Sequence, residues 1–370
     1  INALFHTFFV LKHIALPLGI SFFTFQQLSF LVSIRKGEEQ LEHFDDYCIF
    51  VLFFPQLVAG PIVLYSEMVP QFKDPQRRYW NWENASKGMY IFIIGLFKKA
   101  VIADTLALFA DTGFASQSLG FCAAWAASLS YTFQVYFDFS GYSDMAVGLG
   151  KLFNIDLPFN FRSPYQSESI SEFWRRWHIT LGRALQSYIY FPLGGSRNGK
   201  LRTYRNLLLT FLVSGLWHGA AWTFVLWGLL HGLVNALERV FAKPLSHIPH
   251  WVRVGCTFLI VNALWVLFRA ESFESAAVVY RGMVNFGNLN LLQVGYLAVD
   301  GFVGVPLAMN TAYVLAALAA LTLVCFRAKN SCRMLENFTW RKGTMWATAI
   351  LFSIALVHLS RESVFIYFNF

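Results

Sequence analysis

The sequence predicts an all-α integral membrane protein, a single domain over residues 1–370. Composition is the first reason: 56% of residues are apolar, 18% are aromatic and 14% are charged, with a mean hydropathy of +0.48. Soluble domains carry about 25% charged and about 45–50% apolar residues, so both departures point towards lipid as solvent. Distribution is the second. The length would allow two soluble domains, but apolar runs extend along the whole chain and no block reads as soluble. The third is charge. The formal +8 falls in short clusters between apolar runs, at Lys98–Lys99, Arg197–Arg205 and Arg327–Lys342, as expected of loops held at an anionic cytoplasmic leaflet. No contiguous basic face interleaved with aromatics exists, which excludes nucleic acid as a partner; membrane lipids are the expected surroundings.

A spanning helix needs about 20 mostly apolar residues. Candidate spans are 14–34, 47–65, 86–110, 119–139, 204–217 running on to 220–241, 252–270, 305–326 and 343–360. Several are interrupted: Pro17 and Gly19 in the first, Pro55 and Gly60-Pro61 in the second, Lys98-Lys99 in the third. Broken helices at membrane depth are tolerated only where they face protein or a watery cavity, so a plain bundle is not expected. Residues 168–191 are amphipathic and too charged to span, and read as one interfacial or re-entrant helix; 271–290 reads as a second interfacial segment. The five cysteines lack metal-ligand spacing and are expected to be buried free thiols; no metal site is predicted. The chain opens at Ile1 without a basic n-region, so no signal peptide is read, and N-terminal helices are expected to be missing or truncated.

Two windows carry the candidate chemistry. In Glu172-Phe-Trp-Arg-Arg-Trp-His178, helical spacing would pair Glu172 with Arg176 and lay Trp174 over His178. An interfacial anchor of Trp and Arg is an equally good account. In Ser214-Gly-Leu-Trp-His-Gly-Ala-Ala-Trp222, His218 stands alone between apolar runs. An ionisable side chain at that depth marks a functional site by default, and a neutral imidazole there could accept a proton; a histidine merely hydrogen-bonded in the bundle is the competing account. His231 lies thirteen residues on and reads as structural, since sharing a site with His218 requires a break near Gly219. Asp138 and Asp144 sit where an apolar run ends, and helix capping explains them most simply. Gly194–Lys200 has the spacing of a phosphate-binding loop, but Leu201 stands where Ser or Thr is needed and no strand precedes it.

Taken together, Phe173-Trp-Arg-Arg-Trp-His178, Tyr190-Phe-Pro-Leu-Gly-Gly195 and Gly215-Leu-Trp-His-Gly-Ala-Ala-Trp222 resemble the signature of the membrane-bound O-acyltransferase (MBOAT) family, and within it the bacterial alginate O-acetyltransferase branch. Leu16–Phe22, Gln56–Pro61, Phe137–Asp144 and Phe365–Phe370 resemble the same branch, in order from about residue 14 to the end. One departure stands out: relatives tend to read Leu-Arg-Asp-Tyr where this chain has Leu185-Gln186-Ser187-Tyr188.

The resemblance implies an MBOAT-type bundle of broken, re-entrant and interfacial helices around a central cavity. The chain would be a multi-pass protein of the bacterial cytoplasmic (inner) membrane. The implied activity is O-acetyl transfer from a cytoplasmic thioester, acetyl-CoA or an acyl carrier thioester, towards hydroxyls of an exported polysaccharide such as alginate. His218 and His178 are the implied catalytic residues, with Arg175, Arg176, Trp174 and Trp217 near the donor. A periplasmic acetyltransferase or polysaccharide-export proteins are the implied partners. A polytopic transporter or flippase, using buried histidines as proton relays, and an inactive scaffold of an export complex are the rival readings.

Overall fold

The computed structural model describes residues 19–57, 60–289, 297–299, 307–309 and 311–359. Fourteen helices of seven or more residues account for most of the described chain: α1 (Ile20–Arg35), α2 (Phe44–Leu52), α3 (Tyr65–Lys73), α4 (Trp82–Phe97), α5 (Asp104–Phe114), α6 (Phe121–Leu152), α7 (Ile170–Arg176), α8 (Ile179–Leu185), α9 (Lys200–His218), α10 (Trp222–Val240), α11 (His250–Arg269), α12 (Phe273–Met283), α13 (Thr311–Arg327) and α14 (Lys342–His358). The helical expectation is modified by one antiparallel pair of three-residue strands, Leu297–Val299 with Leu307–Met309. Among the described residues, α11 alone is at once long and apolar enough by composition to cross a membrane. The Leu16–Leu18 part of the first motif, the centre of Gln56–Pro61 and the closing Phe365–Phe370 lie outside the described residues.

The 32-residue α6 is the axis of the fold, buried on most of its circumference. It runs past residue 139, where the hydropathy suggested an end, because α4 covers its polar second half, meeting it at Gly141 and Gly148, while α5 packs on the first half at Ala127 and Tyr131. α4 packs on it with small residues at the crossing. A Cβ on Gly95 would lie 2.5 Å from the Gly141 carbonyl oxygen, and one on Gly88 2.7 Å from that of Gly148. Such contacts let backbones approach closely. Between α4 and α5 a π-helical turn, Lys98–Ala103, inserts both lysines into the bundle. Lys98 Nζ lies 2.7 Å from Asp144, and Lys99 Nζ lies 2.6 Å from both Asp138 and Asp104. The lysines are therefore not loop residues and the two α6 aspartates are not caps; all are charges held inside the fold by one another. Ser331 joins them, accepting from Lys98 Nζ and donating to Asp144.

The second span breaks at Phe53, with Pro55 seated in the first turn of the short helix Phe54–Leu57, where its missing N–H costs nothing. The segment 168–191 is not one helix. α7 ends at Arg176, His178 adopts a left-handed conformation (φ 45, ψ 53), α8 follows, and Gln186–Tyr190 is a π turn. Arg202 and Arg205 lie in the first turns of α9, so the basic loop ends at Gly199. Within 271–290 the structure has a helix over Phe273–Met283 only, α12, capped by Ser272 and buried along Ala276, Val279 and Met283. The five cysteines form no disulfide, but only Cys332 is buried and Cys256 is exposed.

Candidate active site

α9 ends at His218 and α10 starts at Trp222, so the break near Gly219 that a shared site with His231 requires is present. The two helices cross tightly because glycines face backbone: Cβ atoms on Gly215 and Gly228 would run into the carbonyls of Phe224 and Phe211. A Cβ on Gly219 would come within 2.5 Å of the Phe224 ring, so a larger residue at the break would have to displace that ring. This geometry puts His218 at the tip of a helical hairpin and returns His231 towards it along α10.

His218 is 4% exposed and boxed by rings. Their centroids lie 4.8 Å away for Trp217, 5.3 Å for Trp227 and 5.1 Å for Phe268. Trp217 is half-buried and also meets His178, whose ring centroid is 6.4 Å from its own. His178 is 1% exposed, meets the edge of Phe139 at 4.6 Å and stacks on Phe22 at 6.0 Å. Neither of its ring nitrogens has a hydrogen-bond partner among the described residues, so both can serve a reactant.

A non-glycine residue in the left-handed region is strained and persists only where its surroundings hold it. Here buried Asn160 does so. Its carbonyl accepts from the Ile179 N–H at 3.0 Å, and its side-chain oxygen accepts from the N–H and hydroxyl of Thr180 at 3.2 and 2.7 Å. Thr180 in turn accepts from the Ile62 N–H at 3.0 Å. Asn160 was missed in the sequence, where it is one polar residue in Leu157-Pro-Phe-Asn-Phe161 with nothing to tie it to His178 eighteen residues on.

The turn at His178 also corrects the expected ring over its imidazole. Trp174 points to His231 instead: its Nε1–H donates to His231 Nδ1 at 3.2 Å, and the ring centroids are 5.0 Å apart. His231 is fully buried and lies 4.8 Å from Trp227, which also touches His218. Trp227, whose role the sequence did not signal, is thus the ring shared by two histidines. Glu172 and Arg176 pair as expected, at 2.6 Å, and Arg176 also reaches the Ser163 carbonyl. That leaves Arg175, exposed on the same short helix, as the arginine of the pair with its guanidinium at a cavity.

This cavity, of about 160 Å³, lies between α7, α8, α9 and α10; its lining includes Trp174, Arg175, Gln186, Phe211, Asn235 and Arg239. Trp217 is not in its wall; that residue belongs to the histidine box. Larger grooves open elsewhere on the surface, one by Trp80, Trp82 and Trp340 and another by Phe53, Arg77 and Phe153, and none of these histidines lines either. Among the described residues no cluster of three or more His, Cys, Asp or Glu could hold a metal ion.

The sequence model of the membrane-bound O-acyltransferase family matches residues 2–273. The chain is 42% identical over 407 residues to a peptidoglycan O-acetyltransferase of Helicobacter pylori, covering 100% of this chain and 77% of that protein. It is 45% identical over 304 residues to a probable alginate O-acetylase of Pseudomonas aeruginosa, covering 78% of this chain and 57% of that protein. A teichoic acid D-alanyltransferase of Bacillus subtilis matches at 28% over 242 residues, 61% of this chain and 60% of that protein. The chain thus spans about three quarters of the first relative and less than two thirds of the other two.

Proposed function

Because the chain belongs to the membrane-bound O-acyltransferase family, we propose that it moves an acetyl group from a thioester donor towards hydroxyls of an exported polysaccharide, directly or through a hydroxyl of a partner protein, with His218 as general base. The observation that carries this reading is the pair of buried imidazoles, His218 and His178, both packed against Trp217 among aromatic rings.

An alcohol is a poor nucleophile at neutral pH, so a positioned base must take its proton as its oxygen attacks the thioester carbonyl. His218 receives that proton. The tetrahedral oxyanion collapses, the carbon–sulfur bond breaks, and the imidazolium returns the proton to the leaving thiolate. His178, in its neutral form, carries one ring N–H, which can donate to the oxyanion. Phe22, Trp217, Trp227 and Phe268 keep bulk water from the thioester. In this reading the chain is a multi-pass protein of the bacterial cytoplasmic membrane, with the donor on the cytoplasmic side and a periplasmic acetyltransferase or export proteins receiving the acetyl group. The names of the relatives favour the acceptor class: peptidoglycan and alginate are both polysaccharides rich in hydroxyls.

The test is transfer of radiolabelled acetyl from acetyl-CoA or an acetylated carrier protein by the protein in proteoliposomes, with peptidoglycan fragments or alginate oligosaccharides as acceptors. Label in an acceptor with the wild type and none with His218→Ala is expected. Equal labelling by the two proteins contradicts the assignment.

A further inference from the structure

We propose that the groove between α4 and α14 binds one acyl chain of an anionic phospholipid from the surrounding leaflet, with Arg341 in its wall and the adjacent Lys342 holding the phosphate. No histidine lines this groove, so the site is separate from the histidine box.

Two helix faces make the groove. α4 lines it with Trp82, Ala85, Met89 and Ile93, and α14 with Arg341 at its N-cap, then Thr344, Thr348 and Phe352. Both sets follow the i, i+3, i+7, i+11 spacing of a single helix face. Trp82 and Trp340 stand together at the start of both helices, so the two faces begin at the same end. Small side chains hollow the space between them: Ala85 and Ser86 on one side, Thr348 and Ala349 on the other. The hydroxyls there are already used. Ser86 donates to the Trp82 carbonyl at 2.5 Å and Thr348 to that of Thr344 at 2.7 Å. What remains for a ligand along the walls is apolar surface.

Length and charge then decide the occupant. Trp82 to Ile93, like Arg341 to Phe352, spans about 16 Å of helix at 1.5 Å per residue. Half of the hydrocarbon core of a bilayer is about 15 Å, so the groove runs the depth of one leaflet. A spanning partner helix would need a face about twice as long. The volume, about 470 Å³, lies within the roughly 300–1,000 Å³ of ligand sites. At the open end Trp80, Trp82 and Trp340 are each more than half exposed, with Trp80 edge-on to Trp82 at 5.4 Å and Phe338 to Trp340 at 5.6 Å; indoles settle at headgroup level. No acidic residue lines the groove, and Glu83 at its edge is paired with Lys87. Arg341 and Lys342 therefore present positive charge to a headgroup, and clustered basic residues beside a membrane helix attract anionic lipid. Cations, indoles and an apolar trough follow the order of phosphate, glycerol ester and acyl chain in a phospholipid.

The full chain, purified in detergent, is titrated with dioleoyl phosphatidylglycerol, with dioleoyl phosphatidylcholine as the net-neutral control, and bound lipid is counted by native mass spectrometry. Wild type should retain one phosphatidylglycerol at least tenfold more tightly than phosphatidylcholine. Single-chain lysophosphatidylglycerol should compete for the same place, because one chain fills the groove. The double variant Arg341→Gln/Lys342→Gln should lose most of the preference while binding phosphatidylcholine as before. Ala349→Trp, which fills the trough, should lose the bound lipid altogether; should that variant fail to fold, the glutamine pair, at exposed positions, still decides. Wild type retaining both lipids alike, a preference that survives the glutamine substitutions, or a bound lipid that survives Ala349→Trp would each overturn the proposal. So would a polypeptide that co-purifies with the wild type in place of lipid and is lost in Ala349→Trp.

Discussion

At the scale of single residues the account turns on three histidines that composition cannot tell apart. His218→Ala should lower transfer by about 10²–10⁴-fold, the usual worth of a general base, with the protein still inserted and folded; the check is initial rate per mole of folded protein. His178→Ala should cost more activity than His231→Ala, measured in the same assay, because His178 faces the shared Trp217 with both ring nitrogens available, whereas His231 already accepts from Trp174. Equal or reversed losses would move the second role to His231. The left-handed backbone at position 178 separates ring from backbone. His178→Gly should fold at least as stably as His178→Ala, since glycine populates φ > 0 freely, yet be no more active. The sequence singled out His218 between two apolar runs and named a break near Gly219 as the condition for His231 to approach it, and that break is present. The neighbour of His178 was not legible there. Helical spacing put Trp174 over it, but that spacing fails where Asn160 holds His178 out of the helix, and Asn160 belongs to a distant loop.

Among elements, the α4–π–α5 hairpin on α6 shows where pattern reading stops. The lysines at 98 and 99 read as a break between helices because an isolated charge is costly in an apolar run. They are not isolated: the π turn aims them at Asp144 and Asp138, with side chains only 15% and 13% exposed. Nothing local in either run reveals the pairing, since the partners lie 46 and 39 residues apart. Removing one member of a buried pair costs about 3–5 kcal/mol, while replacing both with apolar residues is often neutral or stabilising. Lys98→Met should therefore sharply lower thermal stability in detergent, and the Lys98→Met/Asp144→Leu double variant should recover most of it. A double variant no better than the single would show that Asp144 is not the main partner. The glycine crossings are tested in the same way. Gly141→Val should separate α4 from α6, because a Cβ there already lies 2.7 Å from the Gly95 carbonyl.

For the whole molecule, the apolar surface argues for lipid around it. α14 buries only Ala355 and His358, while Met345, Trp346 and Ile350 are more than half exposed. Arg197, Lys200, Arg202 and Arg205 gather at the start of α9, and Arg175 and Arg239 line the cavity beside its first half. Short basic segments are retained on the cytoplasmic side, so a cysteine at Ser196 should be labelled by an impermeant reagent in inverted vesicles and not in intact cells. Labelling only in intact cells would reverse the proposed route of the donor. The acyl-transfer claim itself is tested most directly by mass spectrometry of O-acetyl groups on the cell-envelope polysaccharides of a strain that relies on this protein. We expect O-acetylated sugar residues with the wild-type chain and their loss with His218→Ala at equal protein level in the membrane. Unchanged O-acetylation in the His218→Ala strain would contradict it.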